Sequence, residues 1–327
     1  MATPSSQPRA NTPGAPSRRV PELSLRHYQT GDADARAGFT RDLFAGLKDY
    51  GFVILKDHAI DPAILTGAYA MVADLFAQPV AEKLRYDSGD GGQRGYTAFG
   101  REHAKDSDQP DLKEFWHVGR EFAADHPLAA VYPPNVWPAH PAGFRETLLA
   151  LYDGLETAGH TMLEALAPAL DLQPEFFSKM AAGGNSILRL LHYPPIADDA
   201  PAGAVRAAAH EDINLITLLV SANGAGLELL DRDGSWLAVE TEPENLIVDA
   251  GDMLARVTNG VIPATTHRVV NPDGPNVSRY SMPFFMHPHP EAVLKCLPSC
   301  TGNGVEAPPI TADAFLKQRL REIGLSA

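Results

Sequence analysis

The stretch Ala207-Ala-Ala-His210-Glu-Asp212-Ile-Asn-Leu-Ile-Thr-Leu-Leu-Val220 decides how this chain folds. Its second half is apolar and contains the β-branched Ile213, Ile216, Thr217 and Val220, the composition of a buried strand. In extended chain, side chains at i and i+2 share a face, so His210 and Asp212 converge while Glu211 turns to the other side. Glu211 is therefore expected in a supporting or surface position.

A third candidate, His267, comes much later in the sequence, among Thr265, Thr266, Val269 and Val270, whose β-branched bias again suits a strand. Two histidines and a carboxylate are the donors of a facial triad, which holds a non-haem Fe(II) on one side and leaves the opposite positions open for small molecules and oxygen. Arg279-Tyr-Ser281 follows twelve residues after His267, on a strand continuing through Met282-Pro-Phe-Phe-Met286. A guanidinium grips a carboxylate bidentately and a neighbouring hydroxyl adds a hydrogen bond. His-x-Asp or Arg-x-Ser alone carries little specificity; the ordered set carries the reading.

Working outward, short apolar runs recur at 186 to 193, 213 to 220, 227 to 231, 235 to 240, 245 to 249, 253 to 258, 264 to 270 and 278 to 286, separated by Gly, Asn, Asp or Pro. Asp231-Arg-Asp-Gly234 reads as a hairpin turn, with further turns at Asp249-Ala-Gly-Asp252 and Thr258-Asn-Gly260. About eight strands punctuated in this way predict a mixed α/β protein with a mainly β core, a double-sheet jelly roll.

Upstream, Phe39, Leu43 and Leu47 recur at helical spacing until Gly51 stops the helix, and Phe52-Val-Ile-Leu55 reads as a strand. Asp61-Pro62 has the form of an N-cap and first helical residue. Gly89 to His140 has poor periodicity and is expected to form long loops beside the site. Leu148, Leu151, Leu155, Met162 and Leu166 predict supporting helix over 144 to 170, and Pro174 a further short one. The expected division is a disordered tail over 1–20, an α/β region over 21–140, supporting helices over 141–182, the jelly roll over 183–290 and an extension over 291–327.

At 327 residues and 44% hydrophobic, the chain can bury a sizeable core. A formal charge of −14 argues against nucleic acid or an anionic membrane as partner. Cys296 and Cys300 are the only cysteines, too few for a disulfide framework, which with the absence of a long apolar run suggests a cytoplasmic protein. The first 20 residues, rich in Pro, Ser and Ala, lack the apolar core of a secretory signal. His287 and His289 alternate between prolines and are expected to exit towards solvent rather than bind metal. Tyr96, Trp116 and His117 are candidates for pocket lining, against the ordinary role of aromatic residues in core packing.

The ordered motifs resemble the isopenicillin N synthase-like family of Fe(II)-dependent, mostly 2-oxoglutarate-dependent, oxygenases. The resemblance rests on His210-Glu-Asp212-Ile-Asn-Leu-Ile-Thr, Thr266-His267-Arg-Val269 and Arg279-Tyr-Ser281-Met-Pro-Phe-Phe285, with Tyr50-Gly-Phe-Val-Ile-Leu-Lys-Asp-His58, Asp111-Leu-Lys-Glu-Phe-Trp-His117 and Leu190-Leu-His-Tyr193-Pro-Pro195 upstream. It covers nearly all of the chain after residue 20. It implies a distorted double-stranded β-helix in which His210, Asp212 and His267 bind Fe(II), Arg279 and Ser281 bind the distal carboxylate of 2-oxoglutarate, and Tyr193 hydrogen-bonds that cosubstrate. Leu191 departs from the asparagine many relatives carry there. The implied reaction uses O2 to oxidise an unactivated C–H bond of a small molecule. Two other readings remain open at this level: an oxidase that places its substrate's own carboxylate on Arg279 and Ser281, and a non-catalytic jelly roll holding a structural metal.

Overall fold

The computed structural model describes residues 18–89, 92–101, 111–201, 203–220 and 224–322. Most of the expected tail therefore lies outside the described residues. Within them, twelve strands form two facing sheets: β1 (Glu22–Ser24), β2 (Phe52–Lys56), β3 (Gly95–Thr97), β4 (Glu114–Gly119), β5 (Ile187–Tyr193), β6 (Ala207–His210), β7 (Ile216–Val220), β8 (Leu227–Leu230), β9 (Trp236–Ala238), β10 (Leu246–Ala250), β11 (His267–Val269) and β12 (Arg279–Met286). The larger sheet runs β1-β2-β10-β7-β12-β5-β4-β3 and the smaller β6-β11-β8-β9. Every pairing in them is antiparallel except that of β1 with β2. This is the jelly roll that the strand pattern predicts.

Alternation along the strands feeds two separate cores. On the outer face of the large sheet, Val53, Leu55, Trp116, Leu190, Leu218 and Phe284 join the helices in the main cluster. On the inner face, Ile54, Phe115, Leu191, Tyr193 and Ile247 meet Ala207, Leu227, Leu229 and Val269 of the small sheet. The site lies in this inner layer.

Helices cover the outer face because their apolar stripes match it. The helix Ala33–Tyr50 buries Phe39, Leu43 and Leu47, starts at the Asp32 cap, whose carboxylate accepts from the Ala35 N–H at 2.9 Å, and ends at Gly51 with φ 71°. A Cβ at Gly51 would also strike Thr265 Oγ1, so glycine is needed there twice over. The helix Pro62–Phe76 begins at Asp61 as expected, and Phe144–Leu166 is one long helix with Leu148, Leu151, Leu155, Met162 and Leu166 buried. A short helix, Glu175–Ala181, follows Pro174. Among the described residues no single helix is long and apolar enough to cross a membrane.

Three expectations fail. The run 253 to 258 is not a strand but the helix Asp252–Val257, whose buried Met253, Leu254 and Val257 have helical spacing over a run too short to decide the period. The expected turn at 249–252 shrinks to Gly251, since Asp249 and Ala250 complete β10 and Gly251 packs on Asn214 too closely for a side chain. The region 89 to 140 also holds more than loops: β3 and β4 extend the large sheet. Their alternation is hidden because β4 buries Glu114 and His117 alongside its apolar residues, and internal partners satisfy them.

Candidate metal centre

The two histidines meet because β6 and β11 are neighbours. His210 lies directly opposite His267, with ring centroids 4.5 Å apart, where the pairing of these strands becomes irregular. Nδ1 of His210 lies 2.7 Å from the Ala208 carbonyl, and Nδ1 of His267 lies 3.1 Å from the Thr265 carbonyl. A carbonyl only accepts, so both Nδ1 atoms carry hydrogen and each ring keeps an Nε2 lone pair for another partner. Both Nε2 atoms stand 3.9 Å from the same oxygen, Oδ1 of Asp212. One donor atom from each of the three residues lies within 4.8 Å of the others.

Asp212 is held from behind. Its Oδ2 accepts from Thr217 Oγ1, which in turn accepts from Asn214 Nδ2 at 2.8 Å, and its carbonyl accepts from the Asp252 N–H at 2.7 Å. This leaves Oδ1 for the histidine side. The side chains of Asp212 and His267 are 9% and 11% exposed and that of His210 is 38% exposed, so the trio is closed on one side and open on the other. Partial burial, then the nearness of the His267 ring, lowers the His210 imidazole pKa, which keeps it neutral and able to ligate at neutral pH. Two imidazole nitrogens and one carboxylate oxygen on a single side suit a divalent transition metal with open positions.

Glu211 turns away, as alternation requires, and accepts a hydrogen bond from Thr266. His287 does not exit to solvent as expected. It is partly buried on the inner face of β12's continuation, burial pushes its imidazole down to about 4, and its Nδ1 has no partner among the described residues. It stays outside the donor cluster.

Arg279 and Ser281 share the inner face of β12, opposite Tyr193 and Leu191 of β5. All four are buried. The Arg279 guanidinium carbon lies 5.2 Å from the Tyr193 ring centroid; its Nε reaches the Gly224 carbonyl only at 3.4 Å, and its Nη1 has no partner among the described residues. A buried guanidinium with an unused N–H fits the carboxylate of a bound molecule. Further along the face, Phe285 lies opposite Thr217, the residue that holds Asp212. Arg189 lies over the rings of Phe115 and Phe285, at 4.4 Å and 5.3 Å, and its Nε donates to His117 Nε2 at 2.6 Å. His117 thus belongs to the inner face, whereas Trp116 and Tyr96 belong to the outer core, packed on Phe144 and bonded to Glu114.

Sequence reasoning missed Thr217, Arg189, Arg206 and Asp249. Thr217 sits five residues after Asp212 within the motif that was read, but a strand threonine gives no sign that it is bonded to a ligand. The others become visible only when distant strands are paired.

Comparison with known proteins gives two consecutive family matches. Residues 20–140 match the N-terminal region of non-haem dioxygenases in morphine synthesis, and residues 184–288 match the 2OG-Fe(II) oxygenase superfamily. A 2-oxoglutarate-Fe(II) type oxidoreductase of Emericella nidulans is 32% identical over 309 residues, covering 91% of this chain and 88% of the relative. Among solved structures, a member of the 2OG-Fe(II) oxygenase family from Caulobacter crescentus aligns with a TM-score of 0.83 and 44% identity, over 92% of this chain and 98% of its own. A full-length Neurospora crassa protein, crystallised in complex with alpha-KG and thymine, aligns with a TM-score of 0.82 and 28% identity, over 92% and 96%.

Proposed function

The chain belongs to the 2OG-Fe(II) oxygenase superfamily, and from that premise we propose that His210, Asp212 and His267 hold its Fe(II), while Arg279 and Ser281, beside Tyr193, hold the distal carboxylate of 2-oxoglutarate. The enzyme is a 2-oxoglutarate-dependent dioxygenase acting on a small molecule. One observation carries the residue assignment: two Nε2 atoms and one carboxylate oxygen converge, at the end of a buried face whose other end holds a guanidinium with an N–H that has no partner among the described residues.

Iron and 2-oxoglutarate, once bound, would let O2 act as the oxidant: its four-electron reduction takes two electrons from decarboxylation of the cosubstrate to succinate and CO2 and two from a substrate C–H bond, by default hydroxylated. The chain's residues bind, orient and exclude water. The Ala208 and Thr265 carbonyls fix the histidine tautomers, and Thr217 orients the Asp212 carboxylate. Leu191, Ile247 and Leu229 keep the space between the sheets dry. Arg279 anchors the cosubstrate's far end and so fixes the direction of its 2-oxo acid end.

The substrate's place is the remaining inner face, lined by Phe115, His117, Arg189 and Phe285. Two rings with a guanidinium between them suit a small planar molecule carrying hydrogen-bond acceptors. The similar Neurospora crassa structure holds thymine, a molecule of that description.

Anaerobic addition of Fe(II) and 2-oxoglutarate tests both halves. The parent should develop the visible charge-transfer absorption of an iron-bound 2-oxo acid. Arg279→Ala should need about 10- to 100-fold more 2-oxoglutarate for the same band, the usual cost of losing a charge-assisted pair. Planar carbonyl-bearing candidates that enter the pocket should shift the band. No band despite demonstrated iron binding, or an Arg279→Ala titration like the parent's, would overturn the assignment.

A further inference from the structure

Arg206, four residues before His210, is 3% exposed. Its Nη2 donates to the Val277 carbonyl at 2.6 Å, two residues before Arg279 on the chain, and its own backbone N–H is held by Asn271 Oδ1 at 3.2 Å. Its Nε is buried and has no partner among the described residues. Arg279, 2% exposed, has the same defect at Nη1. Among the described residues neither guanidinium makes an ion pair. Three other buried or mostly buried cations do: Lys83 holds Glu114 and Lys113 holds Asp111, each at 2.7 Å, and Arg120 holds Glu156.

Two buried guanidiniums linked through the 277–279 segment, with no anion between them among the described residues, are expensive, since each loses hydration and their charges repel. Burial and the neighbouring Arg279 charge both lower the Arg206 pKa. Such an arrangement becomes favourable once an anion with several acceptor positions lies between them. A carboxylate offers about four lone-pair positions. The Arg279 fork and the Ser281 hydroxyl occupy only part of that capacity.

We infer that Arg206 is a second guanidinium of the distal-carboxylate site, donating through Nε to the cosubstrate that Arg279 and Ser281 hold. The inference rests on the assignment of that carboxylate to Arg279 and Ser281. It gives the pocket a doubled positive charge, which selects 2-oxo acids that carry a second carboxylate over those that do not.

The test uses the full-length protein with Mn(II) in place of iron, so that no turnover occurs, and measures ligand affinity by calorimetry together with the thermal midpoint of the protein free of ligand. The ligands are 2-oxoglutarate and 2-oxopentanoate, which keeps the chain length and the 2-oxo acid but lacks the distal carboxylate. Arg206→Gln keeps a donor for the Val277 carbonyl and removes the charge. It should weaken 2-oxoglutarate about 10- to 100-fold and leave 2-oxopentanoate within about twofold. Its ligand-free thermal midpoint should not fall and should rise by a few degrees, because an unpaired buried charge has gone. Arg206→Lys, which keeps the charge but not the planar fork, should show the same ligand selectivity with a smaller loss, and serves if the glutamine variant fails to fold. Unchanged 2-oxoglutarate affinity, or equal losses for both ligands with a lowered midpoint, would reduce Arg206 to a clamp on the Val277 carbonyl and overturn the inference. A parent protein that does not bind 2-oxoglutarate, or whose binding survives Arg279→Ala, would instead remove the assignment beneath it.

Discussion

Strands β4 and β5 carry two buried polar groups on opposite faces, and the groups are built on opposite plans. On the outer face, the Glu114 carboxylate receives Lys83 Nζ at both oxygens, at 2.8 Å and 2.7 Å, together with Tyr96 and His192, and His192 continues to Ser278. Lys83 spends a further hydrogen on the Phe76 carbonyl. On the inner face, Tyr193 stands beside Arg279, and both Arg279 and Arg206 have an N–H without a partner among the described residues. The closed cluster stabilises only the protein's own chain. In the function proposed above, the open one is completed by a carboxylate that the chain does not contain, and it is the pairing of two such guanidiniums on one buried face that sets it apart from the closed cluster.

The largest effect should come from breaking the open side at the metal. Asp212→Ala removes the oxygen on which both histidines converge, and loss of metal-derived stabilisation amounts to about a thousandfold or more in rate. Succinate formation from 2-oxoglutarate in air should fall to background, while the unfolding midpoint stays within a few degrees of the parent's. Parent-like succinate formation would refute the role of Asp212.

Breaking the closed side should do the reverse. Lys83→Met leaves the Glu114 carboxylate buried without its ammonium, and removing one partner of a buried pair typically costs about 3–5 kcal/mol. Urea denaturation should show that loss, while the fraction that remains folded binds 2-oxoglutarate like the parent. A loss below about 1 kcal/mol would mean that Tyr96 and His192 alone satisfy the carboxylate. A change in 2-oxoglutarate affinity would mean that the two faces are coupled through β5.

The sequence disclosed the two sides unequally. His210, Asp212, His267, Arg279 and Ser281 could be read because i, i+2 alternation fixes which side chains share a face, and the order of strands confines them to one layer. The helices at 33–50, 62–76 and 144–166 could be read from capping residues and apolar spacing. The pairing of Glu114 with Lys83 and His192 gave no signal, although Glu114 and His192 stand within quoted motifs, because each is a polar residue in a run whose partner lies on another element. The same concealment made β3 and β4 pass for loops. Arg206 went unread although it stands only four residues from His210, since what marks it is a missing partner, and a sequence does not list partners. His287 was misjudged from its flanking prolines, which end the strand but do not decide where the ring points.

Asp249 offers the finest test, because it lies between the two plans: it is a buried carboxyl of the inner face with no cation paired to it among the described residues. It sits on β10 opposite Phe52 and Thr217, and burial, then the charge of Asp212, raises its pKa well above the usual carboxylate range. The folded protein therefore keeps a proton on Asp249 at pH values where the unfolded chain has lost it. The stability this group contributes is complete below the unfolded pKa of about 4 and is lost as pH rises through the folded value. Asparagine is neutral at every pH, so metal-free Asp249→Asn should match the parent near pH 4 and become the more stable of the two towards pH 8. The gain should be roughly 1 kcal/mol, the ordinary size of a single-residue effect, read from urea unfolding at a series of pH values. Adding Mn(II) should cancel it, since a cation beside Asp212 favours the ionised form of Asp249 that the amide cannot supply. A gain that is the same at pH 4 and pH 8 would show that Asp249 responds to packing rather than charge. A gain that survives the metal would place the cation elsewhere than at Asp212.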